Sequence, residues 1–243
     1  MFARFNFSYD TPVVCTAIHN GHNLSAEFNK TIAISEDQRL LEEDPFTELF
    51  TSVCNNRITV NVSRFQVDLN RKIEKCVYLI PEDCWGLQTR NKIPDKTMIE
   101  NSQRQYAKFY SELKKHLTEL KSRFGKFIVF DIHSFNERKG ERMPDIVLGS
   151  SNMPEKFKPY MLLIKKELSK HRYNNKNLKV GVDVKFPGGN FPRWIHREFP
   201  ENGCCVPIEL KKTWMDGNKL NKPKQIELNG ILKNVYDLIL HTF

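Results

Sequence analysis

The chain has 243 residues, 40% hydrophobic and 28% charged, with 38 Lys and Arg against 29 Asp and Glu for a formal net charge of +9. That composition supports a packed core and excludes a disordered chain, and with no Pro/Ser/Gly-rich linker one domain over residues 1–243 is expected. No apolar run approaches the roughly 18 to 20 residues that span a bilayer, and the opening MFARFNFSYDTP lacks the apolar stretch of a signal peptide, so a cytoplasmic protein is expected.

The positive balance raises a nucleic-acid reading, because clustered Lys and Arg neutralise phosphates. The basic residues, however, come as scattered pairs (Lys114-Lys115, Lys165-Lys166, Lys211-Lys212) with no nucleic-acid motif, so a solvated surface or an acidic small substrate fits better. The six cysteines, at 15, 54, 76, 84, 204 and 205, form no CxxC pair and read as buried free thiols, with nothing marking Cys204 or Cys205 as activated.

In chain order, TPVVCTAIH (11–19) reads as the first strand and ends in two histidines, His19 and His22, around a glycine. RLLEEDPFTELF then offers Glu42, Glu43 and Asp44 in a row. Pro45 in a first turn makes them a helix N-terminal charge cluster, and the alternative is a carboxylate that completes a metal site. RITVNV (57–62) is the second strand. In SRFQVDLNRKIEKCVYLIPEDCWGL (63–87), alternation places Phe65, Val67 and Leu69 on one face and Arg64, Gln66, Asp68 and Asn70 on the other. Asn70 and Arg71 together can hold a substrate carboxylate, Arg by its two-pronged donor edge; exposed charge at a strand end is the alternative.

Apolar residues from Tyr106 to Phe124 recur at three- and four-residue intervals and predict a helix over 102–124, stopped by Gly125. KFIVFDIH (126–133) is the third strand, followed by a helix over about 154–171 and a strand LKVGVDV (178–184). DVKFPGGNFPRWIHREFP (183–200), with two glycines and three prolines, reads as a connecting loop able to wall a pocket with aromatics. GCCVPIEL (203–210) is the last strand, and a helix runs from Pro223 to the C-terminus. The alternation predicts an α/β fold with a central mixed, mostly parallel sheet flanked by helices.

Ligands of open α/β sheets collect at the carboxyl ends of strands. The polar residues expected there are His19 and His22, Asp131 and His133, and Glu209. Imidazole is the commonest zinc ligand, and catalytic zinc takes three protein ligands and a water. A single histidine at a strand end is more often structural; the convergence of several favours a site.

The segments TAIHNGH, EEDPFTELF, SRFQVDLNR, VYLIPEDCWGL, FDIHSFNERKGERMPDIVLGS, FPGGNFPR and PIELKKTWMD, in this order, resemble the N-formylglutamate amidohydrolase family, zinc-dependent amidases related in fold to metallocarboxypeptidases. The resemblance implies one Zn2+ ion and a small-molecule or peptide substrate with a free carboxylate. It points to His19 and His133 as metal ligands, Asn70 and Arg71 as carboxylate clamp, Glu209 as general base and Arg64 as the group that polarises the carbonyl. Where a carboxypeptidase carries its glutamate ligand this chain has His22, so either His22 or Glu43 is implied as the third ligand. The alternative function is a non-catalytic protein of the same fold whose basic surface binds an acidic partner or nucleic acid.

Overall fold

Seven strands form one sheet, and the order in which the chain visits them decides where the polar strand ends gather. In the computed structural model, which describes residues 1–243, the strands are β1 (Ala3–Asn6), β2 (Val13–Ala17), β3 (Asn56–Val60), β4 (Phe127–Phe135), β5 (Ile146–Leu148), β6 (Arg172–Tyr173), β7 (Lys176–Asn177), β8 (Val180–Val182), β9 (Gly203–Lys211), β10 (Met215–Asp216) and β11 (Lys219–Leu220). The helices are α1 (Ala26–Asn29), α2 (Glu36–Glu42), α3 (Lys96–Phe124), α4 (Lys158–Leu168), α5 (Asn190–Glu198) and α6 (Lys222–Thr242). The sheet order is β1-β3-β2-β4-β9-β5-β8, while β6-β7 and β10-β11 are small separate ribbons. The strands β3, β2, β4 and β9 run parallel; β1 lies antiparallel on one side and β5, paired parallel with β8, antiparallel on the other. This is the mixed, mostly parallel sheet expected of the sequence.

Successive side chains leave a strand on opposite faces, so each buried strand feeds two cores. From β4, Ile128, Phe130 and Ile132 join the core under α4 and α6, built with Ile164, Leu168, Leu232 and Val235. Phe127 and Val129 join the opposite core under α3 and α5, built with Leu113, Leu117, Leu120, Phe191 and Ile195. On this second face the character of the strands changes towards their carboxyl ends. Val14 gives way to Thr16, Phe127 and Val129 to Asp131 and His133, and Cys205 to Glu209; in register, His133 lies beside Glu209.

The helices begin where local chemistry provides caps. Asp95 accepts from the Met98 N–H (2.9 Å) and starts α3 one and a half turns before the apolar periodicity becomes regular. Asn221 caps α6, with Pro223 in its first turn. Two sequence expectations need correction. The acidic triplet 42–44 lies at the end of α2 and not at a helix start, since Ser35 caps that helix at the Gln38 N–H. The 183–200 segment is not loop throughout: its glycines and first proline form the approach, and the rest is α5. The short strands β1 and β5 lay outside the predicted set. All six cysteines are buried and unpaired, as read from their spacing.

Gly21 marks a close approach. A Cβ there would stand 2.3 Å from the carbonyl carbon of Asn61, because the turn after β2 lies flat on the continuation of β3, where Asn23 N–H donates to Asn61 (3.1 Å). We expect Gly21→Ala to cost about 2 kcal/mol by overpacking. Gly230→Ala, at an exposed position inside α6 where a Cβ meets nothing, should instead add about 1 kcal/mol. Denaturant melts of the two variants check the opposed signs.

His196 on α5 is buried and accepts the Cys205 backbone N–H at its Nε2 (3.0 Å), which requires that nitrogen to be unprotonated. Burial lowers its pKa to about 4. A depressed folded-state value means that the unfolded chain binds more protons, so this contribution is complete above the unfolded pKa of about 6.5 and is lost as pH falls through about 4. Stability measured from pH 7 to 4 should decline with a component of about 3 kcal/mol that is missing in His196→Gln.

Candidate metal centre and active site

The site is assembled from side chains that leave the carboxyl ends of β2, β4 and β9 and from the turn after α2. Two residues beyond the end of β2, the chain reaches His19, which is 2% exposed. His133, 3% exposed, sits within β4. Between them comes Asp44, 2% exposed, whose N–H donates to the His19 carbonyl (3.1 Å) and whose own carbonyl accepts from the Thr47 hydroxyl (2.7 Å). The chain turns inward here because α2 has ended and Phe46 takes a left-handed conformation, φ 65°, just after Pro45. Such a φ is costly for a bulky residue and is sustained by the surrounding packing.

Each imidazole is held by its outer nitrogen. His19 Nε2 is 2.8 Å from Asp68 Oδ1, and His133 Nε2 is 3.0 Å from Asp131 Oδ2; Asp131 in turn accepts from the Thr16 hydroxyl (2.8 Å). The inner nitrogens therefore converge on one carboxylate oxygen. Asp44 Oδ2 lies 3.1 Å from His133 Nδ1 and 3.5 Å from His19 Nδ1, and ligand atoms of the three residues lie within 4.8 Å of one another. His19 Nδ1 is buried with no hydrogen-bond partner in the protein. An orphaned buried nitrogen beside a carboxylate and a second imidazole, with carboxylates behind both rings, fits a divalent cation of the zinc type.

His22 and Glu43, one of which the sequence reading supplied as third ligand, are occupied with each other and stand outside this trio. His22 Nδ1 bonds Glu43, and that buried carboxylate also takes Arg39 Nη1 (3.0 Å) and the Ser63 hydroxyl. Glu43 raises the pKa of His22. Asp44 occupies the position between the two histidines, one residue along the same acidic triplet. His22 and Glu43 brace the turn that presents it, together with Lys212 Nζ, which donates to the Glu43 and Leu41 carbonyls (2.6 Å each).

The charges reinforce the geometry. Burial alone would raise Asp44, but the adjacent imidazoles of His133, which hydrogen-bonds it, and His19 hold its carboxyl well below the usual range. For His133, burial would favour the neutral ring, yet Asp131 outweighs it and raises the pKa well above 6.5. For Asp68 the desolvation is overcome by His19 and Arg64, and its pKa falls well below 3.8.

Glu209 keeps an edge on the cavity and is otherwise enclosed. Burial raises its carboxyl to about 7, with His133 opposing the shift and Asp44 and Asp131 adding to it. Arg64 donates from Nε to Tyr78 Oη (2.9 Å) and from Nη2 to Asp68 Oδ2 (3.0 Å). The cavity, of about 320 Å³, is lined by His19, Asp44, His133, Glu209, Arg64 and Asn70 among others, and Trp85 and Phe186 form part of its wall.

Asn70 is held on both sides of its peptide. Its N–H donates to Asp68 Oδ1 (2.7 Å), its carbonyl accepts from Asn190 N–H (2.8 Å), and its Oδ1 accepts from Phe191 N–H (2.9 Å) at the start of α5. Arg71 lies in an adjoining cavity that shares Arg64, Asn70 and Gly189 with the first; its guanidinium donates to the Asp83 carbonyl (2.6 Å) over the Tyr78 ring. Both members of the expected pair thus line the second cavity, and Asn70 alone also lines the first. Gly189 permits this contact, since a Cβ there would meet Asn70 Oδ1 at 2.3 Å.

The family model for N-formylglutamate amidohydrolase matches residues 11–215. The chain belongs to that family. A crystal structure of N-formylglutamate amidohydrolase from Ralstonia eutropha shares the fold, with a TM-score of 0.79 at 15% identity over 100% of this chain and 99% of that one. A gene product of Agrobacterium tumefaciens gives 0.68 at 17% identity over 98% and 96%. No curated protein matches the sequence. Within this amidohydrolase family, the present chain has no helix long and apolar enough to cross a membrane.

The sequence offers Asp44 only as one of three acids that could complete a metal site, names Asp131 among the strand-end residues without a role, and sets Asp68 with Arg64, Gln66 and Asn70 on the face opposite Phe65, Val67 and Leu69. Asp68 is in fact fully buried, because the 63–70 segment is a run of turns and not a strand. Its signal was available in the charge neighbourhood: an acid flanked by Arg64 and Arg71 at helical distances.

Asp131 favours the cationic form of His133, and binding a cation at Asp44 and the two imidazoles must displace the proton on its Nδ1, so zinc uptake should release protons and weaken as pH falls. Titration calorimetry in buffers of different ionisation heat checks this. Asp44→Asn should lose stoichiometric zinc, with affinity down at least about 100-fold, while Glu43→Gln, if folded, should retain it within about tenfold.

Proposed function

We propose that the protein is a zinc-dependent amidohydrolase that cleaves the amide of an N-acyl amino acid, of the N-formylglutamate kind, or a related C-terminal amide. The observation that carries this reading is the orphaned Nδ1 of His19, turned with His133 Nδ1 and Asp44 towards one point beside Glu209 at the floor of a cavity. His19, Asp44 and His133 would hold the ion, with His22 and Glu43 behind them. A bound divalent zinc supplies Lewis-acid polarisation of the scissile carbonyl and lowers the pKa of water towards about 7.

Glu209 takes a proton from the attacking water and passes it to the leaving nitrogen, as a carboxylate placed within reach of both can do. Its raised pKa reflects burial, and a nearby dication would bring it down, leaving the carboxylate in its basic form at neutral pH. Arg64, kept cationic by Tyr78 and Asp68 against the effect of burial, faces the cavity and stabilises the charge that develops on the carbonyl oxygen. Asn70 presents an amide nitrogen where the cavities meet and Arg71 a guanidinium in the second one, and together they hold the free carboxylate of the substrate. The buried thiols take no part: burial pushes Cys204 and Cys205 far from their reactive form.

Zinc-loaded protein should release formate from N-formyl-L-glutamate. Glu209→Gln should keep its zinc and its melting temperature while kcat drops at least about 100-fold. Purified protein without stoichiometric metal, whose hydrolysis of N-acyl amino acids survives chelation, would sink the reading.

A further inference from the structure

The second cavity, of about 840 Å³, opens from the first through Arg64, Asn70 and Gly189, and no apolar side chain lines it. Its charge is one-sided: Arg64, Arg71, Lys72, Lys75, Arg193 and Arg197 face it against a single carboxylate, Asp68. That carboxylate is already spent on His19, Arg64, Tyr78 and the Asn70 N–H. The outer cations are free by comparison. Lys72 and Lys75 are exposed and form no ion pair, Arg193 bonds only the Ser151 hydroxyl (3.1 Å), and Arg197 meets only Glu198, at 3.7 Å.

We propose that this groove is a binding site for the acidic amine-side portion of the substrate, so that the chain acts on N-acylated oligopeptides bearing several carboxylates beyond the scissile amide. The inference rests on the amidohydrolase reading and extends it from a single amino acid to an acidic peptide. A substrate carboxylate at Asn70 and Arg71 places whatever follows it against Lys72, Lys75, Arg193 and Arg197. Cations converging on an open groove attract a flexible polyanion strongly and with salt dependence. A nucleic acid is the poorer occupant, since single strands are held by aromatic stacking platforms and this groove has none.

The test measures binding and turnover separately on the zinc-loaded protein. Tetraglutamate and free glutamate are titrated by calorimetry, with tetraglutamine as the uncharged control, against wild type and a Lys72→Gln/Lys75→Gln/Arg197→Gln triple variant. Tetraglutamate should bind wild type at least about tenfold more tightly than glutamate or tetraglutamine, and the triple variant should lose about that tenfold while its glutamate affinity stays within about twofold. The preference should shrink as salt is raised. Equal affinities for the two acidic ligands, an unchanged preference in the triple variant, or tighter binding of single-stranded DNA of matched charge would each overturn the proposal. Formate release from N-formyl-glutamate and N-formyl-tetraglutamate keeps the two readings apart. Turnover of both without a preference in kcat/KM refutes the groove alone. No turnover of either, with tetraglutamate binding intact, refutes the amidohydrolase reading and leaves the groove an acidic-peptide site.

Discussion

The buried carboxylate of Asp68 is the interaction on which the site depends. One oxygen takes His19 Nε2 and the Asn70 N–H, and the other takes Arg64 and the Tyr78 hydroxyl. An imidazole offers one nitrogen to a ligand only if something else engages the other, so Asp68 decides that Nδ1 of His19 faces the centre. The same group sets the guanidinium of Arg64 and the backbone of Asn70. The proposed metal ligand His19, the proposed oxyanion group Arg64 and the proposed clamp residue Asn70 are therefore all positioned by a single fully buried anion. Burying it is tolerable because every lone pair has a donor and a cation stands within hydrogen-bond reach.

On the other side of the centre, Asp131 repeats the device on His133, with Thr16 bonded to its second oxygen. Two strands that are adjacent and parallel in the sheet thus carry the two imidazoles, and each ring is supported by a carboxylate from within the fold. Asp44 alone comes from a turn. That turn is fixed from several directions, by His22, Arg39 and Ser63 on Glu43 and by Lys212 on the backbone. A proposed ligand on a turn needs this bracing, since misplacement by about 1 Å costs a site much of its function.

How much of this was legible in the sequence follows from which forces act locally. Strands β2, β3, β4 and β9 and helices α3 and α6 were visible because apolar periodicity and caps are near neighbours in the chain. Helix α5 was hidden: the dipeptide Gly188-Gly189 and Pro192 are loop signals, and the helix is short, so the packing of Phe191 and Ile195 on the sheet decides its conformation. His19, His133 and Glu209 could be placed at strand ends, and the structure gathers them around one cavity. The choice among Glu42, Glu43 and Asp44 could not be made, because in a turn no period assigns a face; only the φ of Phe46 and the contacts of Arg39 and Ser63 send Glu43 to one side and Asp44 to the other. Asp68 was misplaced for the related reason that alternation was read as a strand where the chain coils.

The charge balance of the centre connects metal, proton and substrate. Most closely coupled to it are the carboxylates of Asp44, Asp68, Asp131 and Glu209 and the cations Arg64, Arg71 and Lys212, which leaves one negative charge unmatched among these seven when all are ionised; Glu42, Arg138 and Lys185 also line the cavity. A proton on His133, which Asp131 favours, neutralises it. A dication that displaces that proton leaves the centre one charge positive, and a substrate carboxylate restores balance. In a low-dielectric cavity an unmatched charge is costly, so under the proposed chemistry the ion and an anionic substrate would favour each other's binding. Beyond Asn70 this compensation ends, because the cations of the adjoining groove have no buried carboxylates left to answer them. The same chain therefore places, next to a near-neutral cluster of buried charges, a surplus of positive charge that an anionic ligand can match.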